Sequence, residues 1–287
     1  MKDPQKKGWR SSTPAFYLLI PSLALLLVFF VVPILRIFSL SFWDPVFTLK
    51  HYLRIFQVEV YLQVLLRTLT VALLVSFFCL ILGYPVAYLL AELPPRITNI
   101  LMILVLIPLW TSVLVRTYAW MVLLGREGLL NKLLLYLQVV SQPLSLLYTS
   151  KAVVLGMVQI LLPFMILPLF SVMKGIDRTL LRASQSLGAG PARTFLRVYF
   201  PLSLPGVAAG FILVFILALG FFITPALLGG RKDIMISMLI ENQVRELLNW
   251  GFAAALSLVL LLITFVILAV FHRFVGLEKL TGGMKLS

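Results

Sequence analysis

Residues 174–206, KGIDRTLLRASQSLGAGPARTFLRVYFPLSLPG, hold the densest set of chemically useful side chains in this chain. Their chemistry is recognition by charge and shape. Asp177 is placed to cap a helix, and Leu180, Leu181, Ser184 and Leu187 follow at helical spacing. Gly188 and Gly190 are stop signals, and Pro191 suits the first turn of a second helix. Ala192, Phe195, Leu196 and Tyr199 give that helix an apolar stripe, and Pro201 and Pro205 are expected to end it. The expected product is two short helices at an angle, basic on one side and apolar on the other. The pattern alone leaves two uses open: lying on anionic lipid, or docking into a groove on a partner.

Bond-making chemistry has no such support. There is no G-x-x-x-x-G-K-[ST] phosphate loop, so ATP has no Gly-rich cradle here. No nucleophile stands beside a base, and Ser and Thr in the apolar segments read as hydrogen-bond formers between helices. Cys79 is the only cysteine, and His51 and His272 lie far apart, so neither a disulfide nor a metal site is expected. A second cluster, Arg116, Tyr118 and Trp120, falls toward the outer end of an apolar segment. It reads either as an arginine snorkelling to an aromatic belt or as a pathway lined by rings that face a cationic solute.

The elements that must position these residues are set by composition. The chain of 287 residues is 61% hydrophobic and 12% charged, with mean hydropathy +1.08. Soluble domains average about 25% charged residues, so this much apolar sequence needs lipid as solvent. Six segments are each long enough to span a membrane: 15–40, 66–90, 100–124, 152–173, 207–228 and 252–275. The first is too long for a signal peptide and is expected to be retained. The expectation is an all-α integral membrane protein of six transmembrane helices. Its tails are 1–14 and 276–287, and its transmembrane domain is 15–275.

Basic residues orient it. One side carries Lys2, Lys6, Lys7, Arg10, Arg96, Lys174, Arg178, Arg182, Arg193, Arg197, Arg273, Lys279 and Lys285; the other carries eight, largely offset by acids. That bias places both termini and the 174–206 loop in the cytoplasm. It also accounts for the net charge of +14 without nucleic acid, since no basic cluster is interleaved with stacking aromatics outside the apolar segments. Pro21, Pro33, Pro85, Pro108, Pro163, Pro168 and Pro225 suggest jointed helices.

The loop resembles the EAA loop of permeases of binding-protein-dependent ABC importers. The resemblance rests on Arg182-Ala183-Ser184, Leu187-Gly188-Ala189, Phe195, Val198, Phe200-Pro201-Leu202 and Pro205-Gly206, placed before the penultimate span. It implies six helices of the type I (MetI-like) permease fold and a pair of coupling helices seated in an ATPase cleft. It also implies two separate ATPase subunits that hold ATP and Mg, a second permease, identical or homologous, and a periplasmic or lipid-anchored binding protein, in a bacterial inner membrane. Arg182 departs from the pattern, standing where the family usually has glutamate. Residues 106–131 and 221–230 resemble the spermidine/putrescine branch, which implies a small nitrogenous solute, a polyamine or an opine- or amino-acid-like compound. The spans offer no interior carboxylate for a polycation, and Phe221 stands where related members often carry aspartate. Arg116, Tyr118, Trp120 and Phe221 are the candidate pathway residues.

Overall fold

The computed structural model describes residues 13–43 and 46–275, apart from the side chains of 13–18, 272, 274 and 275. Most of the N-terminal tail, all of 276–287 and the His272 side chain lie outside the described residues. Among the described residues twelve helices follow one another: α1 (13–42), α2 (Lys50–Gln57), α3 (Glu59–Glu92), α4 (Pro95–Trp110), α5 (Val113–Leu124), α6 (Leu129–Tyr136), α7 (Ser150–Lys174), α8 (Arg178–Ser186), α9 (Pro191–Leu219), α10 (Ile223–Leu228), α11 (Ile236–Arg245) and α12 (Trp250–Val275). No strand forms among the described residues, where pairing is limited to one isolated bridge, Trp43 with Phe47.

Among the described residues five helical stretches are long and apolar enough to cross a membrane, and a sixth crossing requires α4, α5 and α6 to count as one bent span. The expected span 100–124 carries a joint at Pro108, as that proline suggested, and the joint is sharp enough to part it into separate helices. At Ile107–Trp110 the chain tightens into a 3-10 turn containing Pro108, Thr111 is extended, and the next helical stretch leaves at 93°. Proline cannot donate to the preceding turn, and the short turn ends the run. The expected span 207–228 also divides. It ends at Leu219, and Gly220 to Phe222 lead into the separate helix α10. Pro85, Pro163 and Pro168 lie inside unbroken helices, so joints form at only some of the prolines.

The core is a bundle of α3, α7 and α9. In α7, 56% of the most apolar window is buried; in the first span, Leu19–Phe42, none is. Small residues let the three backbones close up, as membrane helices do where lipid offers no hydrophobic gain between them. A Cβ on Gly210 would stand 2.8 Å from Met165 Sδ and 3.1 Å from the Met165 carbonyl oxygen. On Gly206 it would meet Leu169 Cα and the Pro168 carbonyl, each at 3.2 Å. Gly83 faces the same Met165 from α3. The bundle is thus keyed around one methionine.

Candidate functional site

The hairpin grows out of the end of α7. Asp177 caps α8: Oδ1 accepts the Thr179 amide at 2.8 Å and Oδ2 accepts the Thr179 hydroxyl at 2.7 Å. Those bonds, the amide first, hold the Asp177 carboxyl below its ordinary range. The turn after α8 has the full αL termination expected of a glycine. Gly188 sits at φ +84°, its amide donates to Gln185 O at 2.9 Å, and the Ala189 amide donates to Ser184 O at 3.2 Å. Nothing stands within 4 Å of a Cβ on Gly188, so its φ, not space, demands glycine. Pro191 then opens α9, and the Ser184 and Thr194 hydroxyls meet at 3.1 Å, tying the two helices across the turn.

The hairpin is held to the end of α3 by charge. Lys174 Nζ and Arg178 Nη2 donate to Ala91 O at 3.3 and 3.2 Å, and Arg178 also pairs with Glu92 at 3.4 Å. Cations at a helix C-terminus are favoured by its unpaired carbonyls and dipole. Arg182 and Ala183 stand exposed on α8, as does Leu187 beside them at 88% exposure.

Two expectations need correcting. Pro201 and Pro205 do not end the second helix, because α9 runs on from Pro191 to Leu219. A π-turn at Phe195–Tyr199 precedes Pro201, which falls in the first turn of the α-helical stretch that follows, where a missing backbone donor is tolerated. Pro205 and Gly206 therefore belong to the span, with Gly206 buried against α7. Phe195 is not on an outward stripe either. It stacks on Tyr199 at 5.7 Å and meets Tyr88 edge-on at 5.7 Å, with Tyr84 beyond at 6.3 Å. Helical periodicity named the stripe correctly but not its partner, which is α3; Leu196 is the member left exposed.

At the other end of the bundle, the candidate pathway residues do not converge. Arg116 and Trp120 lie one turn apart on α5, whereas Tyr118, 49% exposed, points away from both. Arg116 Nε and Nη1 are buried with no hydrogen-bond partner among the described residues, and Trp120 packs on the core. Phe221 packs on the same core at the break between α9 and α10, where its carbonyl accepts the Ser237 hydroxyl at 2.6 Å. What joins α5 to α10 is a pair of buried threonines, Thr117 and Thr224, with hydroxyls 3.1 Å apart.

The sequence reading missed a knot at that end. Asp233, 6% exposed, accepts the Gly230 amide at 3.0 Å, the Ser150 hydroxyl, and Arg67 Nη1 at 3.4 Å. Beside it Thr68 Oγ1 accepts the Ile236 amide at 2.9 Å. One carboxylate thus binds α3, the start of α7 and the loop before α11. Arg67, an arginine at the edge of the apolar segment 66–90, was the signal available in the sequence. Asn131 makes a second, smaller knot, bonding Gly125 O and both backbone groups of Leu144 at 2.9–3.0 Å.

Residues 80–277 match the family described as binding-protein-dependent transport system inner membrane component. The chain is 40% identical over 233 residues to the spermidine/putrescine transport system permease protein PotB of Salmonella typhimurium, covering 81% of each chain. It is 36% identical over 258 residues to the protein of that name from Haemophilus influenzae, covering 90% of this chain and 88% of that one. In fold it is similar to a chain of a bacterial alginate ABC transporter in complex with an alginate-bound periplasmic protein, with TM-score 0.76 over 93% of this chain and 94% of that chain at 17% identity.

Proposed function

Because this chain belongs to the family of inner-membrane components of binding-protein-dependent transport systems, we propose that it is the permease subunit through which a polyamine such as spermidine or putrescine is imported. The observation that carries the substrate is the 40% identity to a spermidine/putrescine permease over 81% of the chain. The chain makes and breaks no bonds. Two ATPase subunits hold the ATP and Mg²⁺, a second permease completes the pore, and a binding protein delivers the solute.

The hairpin is the coupling element and faces the cytoplasm with both termini, in keeping with the bias of basic residues. Its docking face is α8 and the turn after it: Arg182, Ala183, Ser184, Leu187, Gly188 and Ala189. Phe195, Pro201, Pro205 and Gly206 act behind that face, joining it to the bundle. Arg182 makes this face cationic where glutamate is usual, so the ATPase cleft that receives it supplies an acid. On the pathway, a polyamine finds aromatic and hydroxyl groups more than carboxylates, because the described buried acid, Asp233, is already paired with Arg67.

The test is uptake of labelled putrescine and spermidine into vesicles holding the complete complex. Uptake requires ATP and the binding protein, and unlabelled polyamine competes. Tyr118→Ala lowers it while the complex stays assembled. Competition by an opine or amino acid, with none by polyamines, would leave the importer class standing and overturn the substrate.

A further inference from the structure

Tyr199 is 3% exposed, and its hydroxyl has no hydrogen-bond partner among the described residues. The ring is not free to turn in search of one, with Phe195 stacked on it and Tyr88 edge-on at 5.1 Å. A buried hydroxyl without a partner is unfavourable, so any state that brings it an acceptor is favoured by that bond. Glu92 stands one turn beyond Tyr88 on α3, on the helix face that meets the Tyr199 ring. Glu92 is the last residue of α3, and its carboxylate is held by Arg178 at only 3.4 Å, with both side chains a third or more exposed. Arg178 does not depend on that pair, since the same nitrogen donates to Ala91 O. The carboxylate is therefore loosely held beside a hydroxyl that lacks an acceptor, at the π-turn where the hairpin joins its span.

We propose that Tyr199 is a positioning residue of the coupling cycle: when the hairpin moves with the ATPase, Glu92 leaves Arg178 and accepts the Tyr199 hydroxyl. The two partners of one carboxylate then mark two positions of the hairpin. π-Turns are frequent at functional joints, and this one lets the hairpin tilt without unwinding α9. The proposal rests on the hairpin being the coupling element.

The experiment uses the whole purified complex in lipid nanodiscs and reads ATP hydrolysis with and without the loaded binding protein. Tyr199→Phe removes an oxygen that bonds nothing in the present state, so the complex assembles in normal amount. Stimulated hydrolysis falls about tenfold, the scale of a hydrogen bond to a charged acceptor. Arg178→Ala releases Glu92 toward Tyr199 and raises hydrolysis without the binding protein; adding Tyr199→Phe to it abolishes that rise. Three results overturn the proposal: Tyr199→Phe hydrolysing like the unmodified complex, the Arg178→Ala effect persisting in the double variant, or Tyr199→Phe failing to assemble. Absence of the ATPase from the unmodified complex would overturn the coupling reading itself, and this proposal with it.

Discussion

Glycine serves opposite purposes in the hairpin and in the bundle. In the hairpin, Gly188 and Gly190 have nothing within 4 Å of where a Cβ would sit, and Gly188 matters for its φ of +84°. In the bundle, Gly206 and Gly210 have no positive φ, and each lies against another helix's backbone. One region uses glycine to turn the chain and the other to bring chains together. The lesson is that a substitution strains the hairpin locally but displaces helices in the bundle.

The largest effect is therefore expected at Gly210. Gly210→Leu drives a side chain into Met165, including its carbonyl, and overpacking against backbone costs about 3 kcal/mol or more. The membrane yield of folded protein should collapse, as size-exclusion of the detergent extract would record; a normal monodisperse peak would mean that the three-helix contact is softer than drawn here.

Asp233→Ala comes next. It strands the Ser150 hydroxyl and the Gly230 amide and leaves Arg67 without its carboxylate. Because Arg67 is 39% exposed and water screens it, the cost is roughly 2–3 kcal/mol. Thermal unfolding in detergent should show the loss, with Asp233→Asn milder because it keeps one acceptor. Equal midpoints for both variants and the unmodified chain would show that the knot adds no stability.

In the hairpin the effects are smaller and local. Gly188→Val adds about 1–2 kcal/mol of backbone strain, so the protein inserts and folds while ATPase co-purification is lost. Gly190→Ala, at φ −67° with open space around it, should match the unmodified chain in both assays. If the two variants behaved alike, the distinction between a turning and a spacing glycine would not hold in this loop.

The smallest effect is one of pH. Asp177 has its pKa depressed by the Thr179 bonds, so the cap's contribution is complete above the ordinary carboxylate range and is lost as pH falls through the lowered folded value. Amide exchange at Thr179 should quicken only in that acid window, and Asp177→Asn should remove the pH dependence.

Much of the hairpin could be read in advance because its determinants are local. Asp177 caps a helix two residues on, and Gly188 ends it within four. Pro108 announced a joint, but its angle was hidden because apolarity continues across it: VLIPLW, residues 105–110, tells how greasy a segment is, not which way it points. Phe195 was assigned to the right helical face, yet periodicity says nothing of whether that face meets another chain or α3. The Asp233 knot joins residues 166 positions apart, and no local pattern announces such a pairing. Of the pathway residues, Arg116, Tyr118 and Trp120 are near one another in sequence, but a two-residue step on a helix turns Tyr118 away from Arg116 and Trp120.

Helix α3 carries Arg67 and Thr68, which hold the knot, and Tyr84 and Tyr88, which hold the hairpin's root. From Arg67 to Tyr84 the axis runs about 26 Å without interruption. A stiff rod held at both ends behaves as a lever: tipping it by about 5° carries the opposite end through roughly 2 Å, enough to part a 3.4 Å ion pair. A push on Tyr84 would therefore reach Asp233 through one helix and the single Arg67 contact, with no hinge between them.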